Sequence, residues 1–253
     1  MILLVDIGNS RVKWATHEGG EIGPQSAAEY ADWSIDDWHR ELFTDARVRR
    51  VVVATVAGEA TAQAVREAAS RTPDCDVTFV TTARAAAGVR NAYPEPALLG
   101  VDRWLAVIAG HHLTRRACCV VDVGTAATID AVTRDGEHLG GFIVPGPRLM
   151  AASLLQGTSD LFAHASASTG DARLLFATNT RDAIERGCRI ALAALADRAV
   201  DDLGRQSGAP PVLLFTGGAA ALVVPHVRTP MRIVPDLVLR GLAILAGLAG
   251  NRS

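Results

Sequence analysis

The segment Asp6-Ile7-Gly8-Asn9-Ser10-Arg11-Val12-Lys13 sets a carboxylate, a glycine, two polar side chains and an ammonium around one sharp turn. Glycine lets a phosphate approach the backbone, whose N–H groups, with the Asn9 and Ser10 side chains, can donate to its oxygens. Asp6 can hold a hydrated Mg²⁺ and Lys13 supplies a positive point charge, so the group suits transfer of a terminal phosphoryl. Taken alone the turn also reads as an ordinary hairpin tip. The pattern returns at Asp122-Val123-Gly124-Thr125-Ala126-Ala127-Thr128, again an apolar run, an Asp, a glycine and a hydroxyl. A third glycine turn, Phe215-Thr216-Gly217-Gly218-Ala219, follows an apolar run and precedes a helical pattern, a place where a flat purine or a ribose can lie on the backbone.

These turns need strands to aim them. Ile2–Asp6 and Val12–Ala15 predict a β-hairpin, Val51–Val56 and Cys75–Val80 further strands, and Gly58–Ser70 and Trp104–Leu113 helices. Thr114-Arg115-Arg116 is a polar break, which sets the expected domains at 1–114 and 115–253. The second half starts as the first does, with strands over Cys118–Asp122, Ala126–Val132 and Leu139–Val144, then a helix over Arg148–Leu155. The Ser/Ala/Thr/Gly-rich stretch Thr158–Asn179 reads as loop. Beyond it the pattern predicts a long helix over Thr180–Gly204, a strand at Val212–Phe215, a short helix, a strand near Met231–Val234 and a closing helix from Leu237 to about Ala249.

The chain of 253 residues is 49% hydrophobic and 21% charged, enough to bury a core or two. With 25 Lys plus Arg against 27 Asp plus Glu there is no basic field to hold nucleic acid or an anionic membrane. Cys75, Cys118, Cys119 and Cys188 match no CxxC or zinc spacing and read as reduced core thiols. The first residues are apolar only as far as Val5 and read as a strand rather than a leader, and no run of 18 apolar residues occurs; a cytoplasmic protein is expected. His111 and His112 are adjacent and would point about 100° apart on a helix, which is no metal face. Trp33 and Trp38, among Asp32, Asp36 and Asp37, read as a packed helix rather than a stacking platform.

Asp6, Asp122 and Thr216-Gly217-Gly218, in this order and each at a strand end, resemble the two phosphate motifs and the adenosine motif of the actin, heat-shock chaperone and sugar-kinase superfamily. Within it the chain resembles the type III pantothenate kinases over nearly its whole length. The resemblance rests on Asp6-x-Gly8-Asn9-Ser10-Arg11, Gly100-Val101-Asp102-Arg103, Asp122-x-Gly124-Thr125-Ala126-x-Thr128 and Gly140-Gly141-x-Ile143-x-Pro145-Gly146. It implies an α/β fold of two ribonuclease-H-like, actin-like ATPase domains with mixed sheets and ATP in the cleft between them. It implies transfer of the ATP γ-phosphoryl to pantothenate, the first step of coenzyme A synthesis, by a homodimer that uses Mg²⁺ with ATP and a monovalent cation, K⁺ or NH₄⁺.

By the same resemblance, Asp102 accepts the proton of the attacking hydroxyl, and Tyr93, Gly100, Val101, Asp102, Arg103 and Thr180 line the pantothenate pocket. Asp6, Ile7, Gly8, Asn9, Ser10, Arg11, Val12, Lys13 and Thr125 contact ATP, and Asp122 holds the monovalent cation. Ser10 stands where a threonine is frequent and keeps the hydroxyl. Three positions carry a second reading: Thr180 as a helix N-cap, Asp122 as a water-mediated Mg²⁺ ligand, and Asp102 as a structural partner of Arg103. Two rival functions stand beside the kinase: another small-molecule kinase of the superfamily, such as a sugar or acetate kinase, and a non-catalytic regulator that kept the fold. Gly100-Val101-Asp102-Arg103 argues against the first and the presence of Asp102 against the second.

Overall fold

The computed structural model describes residues 1–156 and 175–247. The chain divides into two units. The first comprises Met1–Leu113, Asp135–His138 and the residues from Asp236 onward; the second comprises Thr114–Arg134 and Leu139–Pro235. The four-residue segment and the last helix thus group with the N-terminal residues, whereas a single cut after residue 114 would put both in the second domain. Strand and helix periods show which residues form an element, not which sheet a late helix returns to.

In the first unit β1 (Ile2–Ile7) pairs antiparallel with β2 (Arg11–Glu18) and parallel with β5 (Arg50–Thr55), which pairs parallel with β6 (Asp76–Phe79). The short β3 (Glu21–Ile22) and β4 (Ser26–Glu29) both pair with β2, giving the order β3-β2-β1-β5-β6. Side chains alternate along β1. Leu3, Val5 and Ile7 enter a core with Trp38 and Leu42 of α1 (Ile35–Leu42) and Val65, Ala68 and Ala69 of α2 (Glu59–Ser70); Leu4 and Asp6 face the other side. Trp38, expected to pack, is buried. The α1 start is closed by a capping box in which Ser34 and Asp37 satisfy each other's backbone N–H.

Two β-strands, β7 (Ala85–Ala86) and β8 (Val89–Arg90), form a small hairpin ahead of α3 (Val101–Thr114). Helix α3 starts three residues before the expected Trp104, because Val101, Asp102 and Arg103 already lie in its first turn. The apolar period begins at Trp104 and hides that turn. Helix α7 (Leu237–Leu245) packs on β1, β2 and β5. It approaches α3 so closely at Gly241 that any Cβ there would strike the Leu105 backbone.

The second unit repeats the plan. β9 (Cys118–Val123) pairs antiparallel with β10 (Ala126–Val132) and parallel with β12 (Val212–Thr216), which pairs parallel with β13 (Met231–Ile233). With β11 (His138–Pro145) on the far edge the order is β11-β10-β9-β12-β13, the same order as in the first sheet. Cys119, Val121 and Val123 pack with Leu192, Ala193, Ala196 and Val200 of the long helix α5 (Thr180–Ser207), while Cys118, Val120 and Asp122 take the other face. Fully burying such a side chain stabilises by about 1.5–3 kcal/mol. Helices α4 (Pro147–Gln156) and α6 (Ala220–Val223) complete the unit. Most of the expected loop Thr158–Asn179 and the end of the closing helix lie outside the described residues.

Burial pushes the thiols of Cys118 and Cys119 up to about 12, which keeps them protonated. No helix among the described residues is long and apolar enough to cross a membrane.

Candidate active site

The first turn is built by the β1–β2 hairpin. Ile7 pairs with Val12, and the Gly8 N–H donates to the Arg11 carbonyl at 3.0 Å, leaving Asn9 and Ser10 at the exposed tip. Asp6 is only 7% exposed and lies opposite Lys13 across the hairpin, so carboxylate and ammonium leave the sheet on one face. The Val56 N–H donates to the Ile7 carbonyl at 3.1 Å and ties the end of β5 to this turn.

Near the same sheet end lies the start of α3. A Cβ built on Gly100 would stand 2.6 Å from Asp102 Oδ1 and 4.0 Å from Val56 Cγ1, so the glycine makes room for the carboxylate. Asp102 Oδ1 accepts the Arg103 N–H at 2.7 Å, in the first helical turn, where the helix dipole favours a negative charge. The Arg103 guanidinium is buried and donates from Nη1 to the Tyr93 hydroxyl at 3.0 Å. The start of α3 and Tyr93 are therefore tied together: a half-buried Asp102 carboxylate on a first-turn N–H of the helix, and next to it in the chain a guanidinium whose direction a phenol fixes.

Two partners of that cluster escaped the sequence reading. His138 is 3% exposed and stacks on Tyr93 with ring planes 11° apart and centroids at 6.3 Å; its Nδ1 faces the Ala92 N–H at 3.4 Å. Asn91 Oδ1 accepts the Tyr93 N–H at 2.9 Å. The Gly136 carbonyl accepts the Arg90 N–H at 2.8 Å, and Arg90 pairs with Glu137, so Gly136-Glu137-His138 is fastened to the strand leading to Tyr93. Only the register between these segments could have pointed to His138.

In the second unit the turn between β9 and β10 is tighter. Val123 pairs with Ala127, and the Gly124 N–H donates to the Ala126 carbonyl at 2.9 Å. Asp122 lies opposite Thr128 on β10 and Thr216 on β12, with Thr125 exposed at the tip. Gly217 has φ +91°, and a Cβ there would strike Asp122 Oδ1 and the Val123 backbone. The second and third glycine motifs thus meet at one carboxylate. The Gly146 N–H donates to the Thr125 carbonyl at 2.8 Å, which seats Pro145-Gly146-Pro147 on the turn.

Thr180 opens α5 but does not cap it. The cap is Asn179, whose Oδ1 accepts the Asp182 N–H at 2.9 Å. The Thr180 side chain instead lines an apolar groove of about 600 Å³ with Met150, Leu154, Ile184 and Cys188. Groups of His, Cys, Asp and Glu that could enclose a metal do not occur among the described residues.

The type III pantothenate kinase family profile matches residues 2–202. The chain belongs to that family. A type III pantothenate kinase from Nitrosococcus oceani is 36% identical over 97% of this chain and 94% of its own length. One from Chromobacterium violaceum is 39% identical over 97% of this chain and 99% of its own. Among solved structures, a protein described as a 2-dehydro-3-deoxygalactonokinase from Sinorhizobium meliloti has a TM-score of 0.59 at 14% identity, covering 100% of this chain and 98% of that one. A Baf family transcriptional activator from Campylobacter jejuni has a TM-score of 0.57 at 20% identity over 97% of both chains. These likenesses establish the fold alone, two mixed sheets of the same strand order; in this chain each sheet carries an aspartate near the end of the first strand of its opening hairpin.

Proposed function

We propose that this protein transfers the γ-phosphoryl group of ATP to the primary hydroxyl of pantothenate, giving 4′-phosphopantothenate at the first step of coenzyme A synthesis. The observation that carries the reading is the first turn of α3, where the Asp102 carboxylate accepts the Arg103 N–H and is followed in the chain by a buried guanidinium held by Tyr93. A primary alcohol is a poor nucleophile, and a carboxylate within hydrogen-bond reach takes its proton as transfer proceeds. Arg103 offers a fork that fits the carboxylate of pantothenate, with Tyr93, Gly100 and Val101 as the surrounding wall and Thr180 as a further contact.

On this reading Ile7, Gly8, Asn9, Ser10, Arg11 and Val12 cradle the phosphates through backbone and side-chain donors, Lys13 offsets their charge, and Thr125 adds a hydroxyl. Asp6 is the group that would hold the Mg²⁺ of MgATP. Asp122 is the group that would hold K⁺ or NH₄⁺: it is a hard anionic oxygen ligand beside the second phosphate turn, and its neighbours across the strands are the hydroxyl residues Thr128 and Thr216. A bound cation there would supply positive charge to the phosphates. We read the protein as a cytoplasmic homodimer, and the exposed Phe142, Ile143, Leu149 and Leu154 give the second unit apolar surface for a partner copy.

The test is ADP release by the purified protein with pantothenate, sugars and simple carboxylic acids as acceptors, in potassium buffer with Mg²⁺. Release that requires pantothenate, with phosphopantothenate detected by mass, is the expected result. Release with a sugar or acetate and none with pantothenate would replace this reading by another kinase of the same fold.

A further inference from the structure

Tyr30 lies just beyond β4 and was singled out by no motif. Its hydroxyl donates to the Gly8 carbonyl at 2.6 Å, across 22 residues of chain. The Thr61 side chain, in the first turn of α2, lies beside the same phenol. The ring is held by Trp38 at 5.3 Å, which packs edge-on to Trp33 at 4.8 Å, and Trp33 in turn contacts Trp14 of β2. The phenol is therefore a fixed donor on a rigid aromatic base, and burial pushes its pKa above the ordinary value, so it keeps its proton.

The consequence falls on the next peptide group. A trans peptide is planar and its C=O and N–H point in opposite directions. No cis peptide occurs among the described residues, so a Gly8 carbonyl turned toward Tyr30 turns the Asn9 N–H away from it. Asn9 is exposed, and neither its backbone nor its side chain makes a hydrogen bond with a described residue. Without the phenol, the glycine at position 8 would let this peptide rotate, since glycine restricts φ and ψ least.

We propose that Tyr30 is a positioning residue for nucleotide binding: by holding the Gly8 carbonyl it keeps the Asn9 N–H aimed at the phosphate oxygens of ATP. The proposal rests on the kinase reading of the Asp6 turn. Tyr30 never touches the nucleotide; it removes the freedom that a flexible glycine peptide would otherwise lose on binding.

The experiment is calorimetric titration of wild type and Tyr30→Phe with Mg²⁺ and a non-hydrolysable ATP analogue, beside steady-state kinetics and melting temperatures. Phenylalanine keeps the ring among the tryptophans and deletes only the hydroxyl. The loss of one hydrogen bond predicts an analogue Kd and a KM for ATP raised about 3- to 10-fold, with the KM for pantothenate within about twofold and melting within a few degrees. Thr61→Val, which removes the hydroxyl beside the phenol, should shift nucleotide affinity in the same direction by less, and it carries the test if Tyr30→Phe does not fold. Wild-type nucleotide affinity in both variants overturns the proposal. So does an equal rise of both KM values with a lowered melting temperature, the mark of a role in stability alone. If the wild type fails to phosphorylate pantothenate yet Tyr30→Phe weakens the analogue, the pantothenate reading fails and the role of Tyr30 stands.

Discussion

The turn after β1 and the turn after β9 occupy the same place in two sheets of the same order, yet they present opposite surroundings to their aspartates. Across the hairpin from Asp6 stands Lys13; across from Asp122 stands Thr128, with Thr216 on the other side. The first connection runs from Gly8 to Arg11 and exposes two polar side chains, whereas the second closes over Gly124 to Ala126 and is overlaid by Gly217. One aspartate has a lysine at its cross-strand position. The other has a threonine there on each of two neighbouring strands, and on the proposed reading it is the one that takes a monovalent cation. A repeated backbone thus leaves the chemistry to a single cross-strand position.

The largest expected effect lies in neither turn. Asp102→Asn should lower kcat with pantothenate about 10²- to 10⁴-fold, leave affinity for MgATP within a few-fold and melt like the wild type. A fall in melting temperature with turnover retained would instead make Asp102 a structural partner of Arg103. Next comes the residue that distinguishes the turns. Lys13→Ala removes a charged contact worth about 1.5–3 kcal/mol, so KM for ATP should rise about 10- to 100-fold while the potassium requirement stays.

The converse change sharpens the comparison. Thr128→Lys places an ammonium opposite Asp122, and the variant should work in sodium-only buffer at fixed ionic strength, where the wild type is expected to work poorly. Equal wild-type activity in sodium and potassium would remove the cation from Asp122. Smallest is Gly217→Ala, which forces a side chain into a positive-φ position against Asp122. It should cost about 1–3 kcal/mol of stability, read as a lower melting temperature, and raise the potassium concentration needed for half-maximal activity.

Most strands and helices were legible because their residues repeat with the strand or helix period: Leu3, Val5 and Ile7 enter one core, and Leu192, Ala196 and Val200 another. Asp6 and Asp122 were legible as candidates because each ends an apolar run in a glycine turn. What escaped depends on tertiary return. His138 reaches Tyr93, and Tyr30 reaches Gly8, through register and packing between segments whose local patterns are unremarkable. Thr180 and Asn179 are both good caps, and only the hydrogen bond to the Asp182 N–H decides between them. The first turn of α3 was missed because the charged Asp102 and Arg103 interrupt the apolar period there.

The return of α7 to β1, β2 and β5 also sets a timetable for biosynthesis. β1 leaves the ribosome well before α7, with residues 8–236 made between them. At about 5–20 residues per second, on the order of 10–50 s separate the two. Through that interval the sheet bearing Asp6 lacks the helix that seats Gly241 against Leu105, while β9, β10 and β12, made in between, can already pair. Of the two units, the one begun first is therefore the one completed last.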